Sequence, residues 1–377
     1  MSNSDLREQR FRMQLLAWYD AHARDLPWRE SSDPYRVWVS EIMLQQTRVA
    51  AVIAHYHEFL RRFPTVEKLA RAREASVLAA WSGLGYYRRA RMLHAAAKVV
   101  ARLGTFPATA EELRLLPGIG RYTAAAIASI AFGKCVAVVD GNVERVLQRV
   151  FGRRMSGGEL WIAAEELLDC ERPGDFNQAM MELGATVCTP RAPACLTCPV
   201  VELCATRGEI AGSEKTVRQR KREIHYALDY RDNGGRDDAV FLVQRARDAR
   251  LMARMWELPE VKGSVMGARQ QQILRFARNR KLENKQQVPP ARFASRRNDK
   301  ANGNGDGAAV PPEPYLTLRH SITVTDYKVR VWRMPAPLEH RGEWIAVGRL
   351  RRIALTGLAR KILREAGIVA VPGPGGQ

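Results

Sequence analysis

Four cysteines, two carboxylates and a tyrosine stand in this chain at spacings that suit chemistry. Cys188-x6-Cys195-x2-Cys198-x5-Cys204 gathers four soft thiol ligands in a short stretch punctuated by Pro190, Pro193 and Pro199. Such a stretch folds as a loop around one metal centre. A four-cysteine zinc site usually shows two CxxC knuckles, and only Cys195-x2-Cys198 is one. Glu41 lies in the run Val37-Trp38-Val39-Ser40-Glu41-Ile42-Met43-Leu44-Gln45-Gln46-Thr47. If its apolar flanks bury it, the protonated acid is favoured, but a glutamate in such a helix ordinarily lies on a solvated face. Asp140, in VAVVDGNVERVL, is placed to cap the helix that follows it. Leu116-Pro117-Gly118-Ile119-Gly120 precedes the Ala-rich stretch RYTAAAIASIAFG. Gly118 and Gly120 permit a tight turn whose N–H groups approach a phosphate closely.

These residues need a scaffold, and residues 1 to about 212 read as helical. Val49, Val52, Ile53, Tyr56, Phe59 and Leu60 recur at helical spacing. Asp33-Pro34 suits an N-cap and first helical position, and Gly133 and Gly152 suit C-terminal stops. Helices joined by short Gly/Pro turns predict an all-α domain over 1–207. Residues 208–224 are polar and basic, which predicts a linker. From 225 to 371 the pattern turns to short strands, as in Ala239–Val243 and Tyr327–Trp332. Residues 294–312 are poor in apolar side chains and read as a loop.

The 377 residues carry a formal net charge of +20 and are 46% hydrophobic, so a core is feasible and the partner is a polyanion. The longest mostly apolar run, Ala124 to Phe132, falls far short of the ~20 residues that span a bilayer. The chain opens on Asp5, Arg7, Glu8 and Arg10, which is no secretory signal. A reducing, cytoplasmic and nucleoid-associated location follows, in which six cysteines form no disulfide framework. Cys135 and Cys170, without partners at ligand spacing, are expected in the core.

The 6-2-5 cysteine spacing after NQAMMELGATVC resembles the [4Fe–4S] loop of the endonuclease III and MutY glycosylases. The PGIG hairpin followed by VDGN resembles the helix-hairpin-helix, Gly/Pro-rich-loop, aspartate motif of the same superfamily, and WVSEIMLQQTRV resembles the MutY signature. The resemblance implies an adenine-specific DNA glycosylase, a base excision repair hydrolase with a [4Fe–4S] cluster on Cys188, Cys195, Cys198 and Cys204. In it Glu41 protonates the adenine N7 and Asp140 meets the oxocarbenium character left on the sugar. The place held by a Schiff-base lysine in strand-cutting relatives holds Tyr122, so excision without a lyase step is implied. Tyr122 orients Asp140 or supports the transition state, and Asn142 stands beside Asp140. Gln46 and Tyr86, with Gln45 nearby, match the wedge that extrudes the base; Arg29 and Gln178 match contacts to the flipped base. Arg191 is placed for a phosphate.

The segment AVFLVQRARDARLMARMWELPEV resembles the start of a MutT-like (Nudix-like) α+β fold. The REx2EE string of a working Nudix hydrolase is absent, so this domain is expected to bind, reading 8-oxoguanine opposite the adenine. His320 and Ser321, in LRHSIT, stand where the family carries Phe-Ser-His, in a different order. The implied partner is double-stranded DNA with A opposite 8-oxoguanine or G, bound by a monomer and no membrane. The rival readings are a glycosylase for another lesion, against which Tyr122 and Glu41 argue, and a non-catalytic iron–sulfur DNA-binding protein, which leaves both carboxylates unexplained.

Overall fold

The computed structural model describes residues 3–210, 220–233, 238–249, 252–261, 313–322 and 325–369. The chain divides into two compact units, Met1–Lys215 and Thr216–Gln377.

The first unit is helical. Its elements are α1 (Asn3–His22), α2 (Pro34–Leu44), α3 (Val49–Arg62), α4 (Val66–Arg71), α5 (Glu74–Ala80), α6 (Arg88–Leu103), α7 (Ala110–Arg114), α8 (Arg121–Phe132), α9 (Gly141–Phe151), α10 (Gly157–Leu167) and α11 (Pro173–Thr186). Asp33 caps α2, its carboxylate accepting from the Arg36 N–H, with Pro34 in the first turn. Gly133 and Gly152 end α8 and α9 in the left-handed conformation, as the sequence predicts. One core joins Phe11 and Leu15 of α1 to Ala125, Leu147, Leu160, Phe176 and Leu183. Helix α2 buries Val37, Trp38, Val39, Ile42 and Met43, and carries Ser40 and Glu41 inward with them. The packing of α2 thus takes a carboxylate into the interior. No described helix is long and apolar enough to cross a membrane.

The second unit contains β1 (Arg220–Leu228), β2 (Tyr230–Arg231), β3 (Ala239–Gln244), β4 (Trp256–Glu257), β5 (Leu316–Ile322), β6 (Thr325–Arg333), β7 (Gly342–Ala346) and α12 (Gly357–Glu365). One sheet runs β1-β6-β5, with β1 parallel and β5 antiparallel to β6. The other runs β2-β3-β4, with β7 also paired to β3. Val240, Leu242, Val329, Val331, Ile345, Ile362 and Leu363 form its core. Residues 220–224, expected in the linker, are strand. Their charged composition reads as solvated chain, but this outer, mostly exposed half of β1 pairs with β6, and Glu223 forms an ion pair with Arg330. The expected loop at 294–312 lies outside the described residues.

Candidate active site

Helices α2 and α8 meet at the acid. Glu41 is 6% exposed, and its Oε2 accepts the Tyr122 hydroxyl at 2.7 Å. Burial pushes the Glu41 carboxyl up to about 7; the Tyr122 bond opposes this, the Asp140 charge adds to it and Arg29 opposes it. Burial likewise raises Tyr122 well above 10, so its proton stays on as the donor. The Tyr122 hydroxyl also lies 3.2 Å from Met181 Sδ. The direct partner of the Tyr122 hydroxyl is Glu41, a bond the sequence reading did not foresee, because the first turn of α8 packs on α2. Gln45 Nε2 reinforces that junction by donating to Thr123 Oγ1 at 3.2 Å.

Asp140 caps α9. Its Oδ1 accepts from the Asn142 N–H at 2.9 Å and the Val143 N–H at 2.8 Å, and Oδ2 accepts from Asn142 Nδ2 at 3.0 Å. The capping role is thus present, and its donors hold the carboxylate in one orientation at a positive helix end. The segment leading to it is held by the buried Asn177, which accepts from the Val138 N–H and donates to Ser129 Oγ and the Val136 carbonyl. Gly184 lets α11 approach, since a Cβ there would sit 2.6 Å from Asn142 Cβ. The two carboxyl groups therefore have opposite settings, one apolar and bonded to a hydroxyl, the other ringed by N–H donors.

Arg29 is fixed by Glu182, a residue the sequence reading missed. Arg24 Nε and Nη2 reach Glu182 at 2.6 and 2.8 Å, and Arg29 Nη2 reaches it at 2.9 Å. Burial would raise this carboxyl, but the arginines outweigh it and hold it below the usual range. Gln178 is half-buried one helical turn earlier on α11. Asn177, Gln178, Met181 and Glu182 of NQAMME fall at helical spacing, a signal that could have flagged Glu182.

Gly118 adopts φ 78°, and a Cβ there would meet Met92 Cβ at 2.4 Å, so the hairpin requires glycine. Gly120 is the N-cap of α8, with open space where a Cβ would be. Gln46 and Tyr86 are both exposed and both left-handed, at φ 55° and 46°. For non-glycine residues this costs about 1–3 kcal/mol each.

Cys188, Cys195, Cys198 and Cys204 are free thiols lining one small pocket with Arg149 and Arg207. Arg149 Nη1 donates to Cys188 Sγ at 3.2 Å and the Arg207 N–H to Cys204 Sγ at 3.4 Å. Among the described residues no group of three or more His, Cys, Asp or Glu is arranged to hold a metal ion. Arg145 joins this loop to the aspartate: Nε donates to the Cys188 carbonyl at 2.7 Å and Nη2 to Asn142 Oδ1 at 2.8 Å. Arg191 is exposed in the loop. Cys135 and Cys170, expected in the core and unpaired, are exposed and joined by a disulfide, with Cα atoms 4.9 Å apart. Their separation of 35 residues hides the pairing, which arises where the segment before Asp140 meets the turn before α11.

In the second unit His320 and Ser321 are neighbours on β5, so their side chains leave opposite faces. Ser321 Oγ bonds Asp326, while His320 is half-buried, and burial followed by the Lys361 charge depresses its pKa.

A helical scaffold, a glycine hairpin and a capped aspartate define a class. Residues 39–161 match the model of the HhH-GPD superfamily of base excision DNA repair proteins. The chain is 52% identical over 217 residues to the adenine DNA glycosylase of Homo sapiens, covering 53% of this chain and 40% of that protein. It is 39% identical over 261 residues to the adenine DNA glycosylase of Mycobacterium tuberculosis, covering 63% of this chain and 86% of the relative. A solved thermostable thymine-DNA glycosylase superposes with TM-score 0.52 at 31% identity, over 55% of this chain and 99% of that one. The chain belongs to the adenine DNA glycosylase family of the HhH-GPD superfamily. It spans about two fifths of the length of the mammalian relatives it matches.

Proposed function

We propose that this chain removes adenine opposite 8-oxoguanine or guanine in duplex DNA, as a monofunctional glycosylase that leaves an abasic site. The observation that carries the reading is Glu41, a buried carboxyl raised to about 7 that accepts the Tyr122 hydroxyl and feels the charge of Asp140, the N-cap of α9. Neither group reaches a base inside a duplex, so the adenine is extruded first. Glu41 then gives its proton to N7, the glycosidic electron pair leaves with the neutral adenine, and the Asp140 carboxylate faces the cationic sugar. Water adds to the anomeric carbon, and its proton returns to the Glu41 carboxylate. Either an ion pair or a covalent ester with Asp140 satisfies this chemistry. Gln46 and Tyr86, exposed and strained, serve as the wedge, with Gln45 at their base; Arg29 and Gln178 face the flipped base. Gly118, Gly120 and Arg191 approach phosphate, and the +20 charge draws the duplex in. Tyr122 forms no imine, so the strand is left uncut.

The donor set fits a [4Fe–4S] cluster: four thiols line one pocket, and N–H groups of Arg149 and Arg207 bond two of the sulfurs. When bound, the cluster gives this loop a covalent framework and takes no part in excision. The second unit, read as MutT-like, recognises the base opposite the adenine; Ser321 lies on its exposed face and His320 on the opposite one. The protein works as a monomer on DNA in the cytoplasm.

The deciding assay is single-turnover release of free adenine from a duplex with A opposite 8-oxoguanine. No release by the wild type overturns the reading. Purified protein is expected to be brown, with broad visible absorbance; a colourless, zinc-loaded and active protein overturns the iron assignment. Borohydride should trap no covalent protein–DNA adduct.

A further inference from the structure

Arg89, in the first turn of α6, joins two loops that are far apart in sequence. Its Nη1 donates to the carbonyl oxygens of Ile42 at 2.7 Å, Met43 at 3.0 Å and Gln45. Its Nη2 donates to Thr47 Oγ1 at 3.1 Å, the Leu84 carbonyl at 3.1 Å and the Gly85 carbonyl at 3.4 Å. The guanidinium carbon lies 5.5 Å from the ring centroids of both Trp81 and Tyr86. The first carbonyls belong to the end of α2, where a helix leaves acceptors unsatisfied and a cation meets the negative end of its dipole. Thr47 belongs to the Gln46 loop, and Leu84 and Gly85 open the turn into α6. Gln46 stands in one loop and Tyr86 in the other, each exposed and each left-handed.

We propose that Arg89 is a positioning residue for base extrusion: it braces the Gln46 turn to the Tyr86 turn so that both side chains meet the duplex as one rigid wedge. This rests on the adenine-excision reading above. Burial lowers Arg89 to about 10, which leaves it a full cation at neutral pH. Its planar fork reaches acceptors on both sides at once; a lysine, a point charge on a flexible stem, does not.

The test uses full-length holoprotein carrying Arg89→Lys and two readouts. Amide hydrogen exchange over residues 45–48 and 84–87 should quicken at least tenfold, with the rest of the helical unit unchanged. With 2-aminopurine in place of the target adenine, the fluorescence rise on extrusion should slow at least tenfold. In a Gln46→Ala, Tyr86→Ala background, Arg89→Lys should slow it by less than twofold further, because the wedge through which it acts is gone. Unchanged exchange at the two turns overturns the proposal, and so does an undiminished effect in the wedge-less background. If Arg89→Lys does not fold, Thr47→Val decides: it deletes one acceptor of the brace, and because the Thr47 hydroxyl also bonds the Gln45 carbonyl within its own turn, the readout is exchange at residues 84–87, which should quicken severalfold; unchanged exchange there overturns the proposal. If the wild type neither extrudes 2-aminopurine nor releases adenine, the excision reading falls, and the exchange arm still decides the brace.

Discussion

Replacing Glu41 by Gln separates what this carboxyl does for chemistry from what it costs the fold. Moving the Glu41 carboxyl from its ordinary 4.5 to about 7 is worth about 3 kcal/mol, at ~1.4 kcal/mol per pH unit. The folded chain keeps a proton that the unfolded chain releases. Between those two values the native state therefore binds more protons, and stability falls as pH rises through the window. Above pH 7 the full penalty is in place. Gln keeps the acceptor for the Tyr122 hydroxyl but never ionises. Glu41→Gln should thus gain on the wild type as pH rises from 5 to 8, by most of that ~3 kcal/mol, measured by urea unfolding of the anaerobic holoprotein followed by circular dichroism. Over the same range wild-type excision should decline above pH 7 by about tenfold per unit, since only the protonated acid works. The variant should lose at least a hundredfold in single-turnover excision. A stability difference that does not change with pH would falsify the raised pKa. A variant that excises as fast as the wild type refutes the acid role.

Asp140→Asn should lose at least a hundredfold in excision. Because Asn also caps helices well, thermal unfolding should move by less than about 1 kcal/mol in stability; a large loss of stability would mean that Asp140 is mainly structural. Glu182→Ala strands two arginines and should cost about 3 kcal/mol, the low end for a broken buried pair because Arg24 reaches solvent. Gly118→Ala forces both a left-handed alanine and a clash with Met92, and should cost about 1–3 kcal/mol with weaker binding to undamaged duplex. Unaltered unfolding in that variant would show that the hairpin relaxes.

The helix start at Asp140 and the close grouping of the four cysteines are legible in the chain because each rests on a short string, whereas Glu41 and Tyr122 stand out only by resemblance to the MutY signature. The neighbours of Glu41 suit a solvated face as well as a buried one, and only the packing of α2 decides that it is buried, but Asp140 opens a helix and the cysteines need only a loop. Helix starts and stops such as Asp33 and Gly152 are legible for the same reason, since caps act within one turn. The partners of these residues are not written locally. Glu182 reaches Arg24 across 158 residues, Arg89 reaches Ile42 across 47, and Arg145 reaches Cys188 across 43. An ordinary arginine or glutamate in a helix reads as solvated surface until packing closes on it. The Tyr122–Glu41 bond, the pairing of Cys135 with Cys170 and the strand character of residues 220–224 have the same origin. Hydrogen bonds and disulfides depend on atoms a few ångströms apart, and only the folded chain brings residues so far apart in sequence to that range.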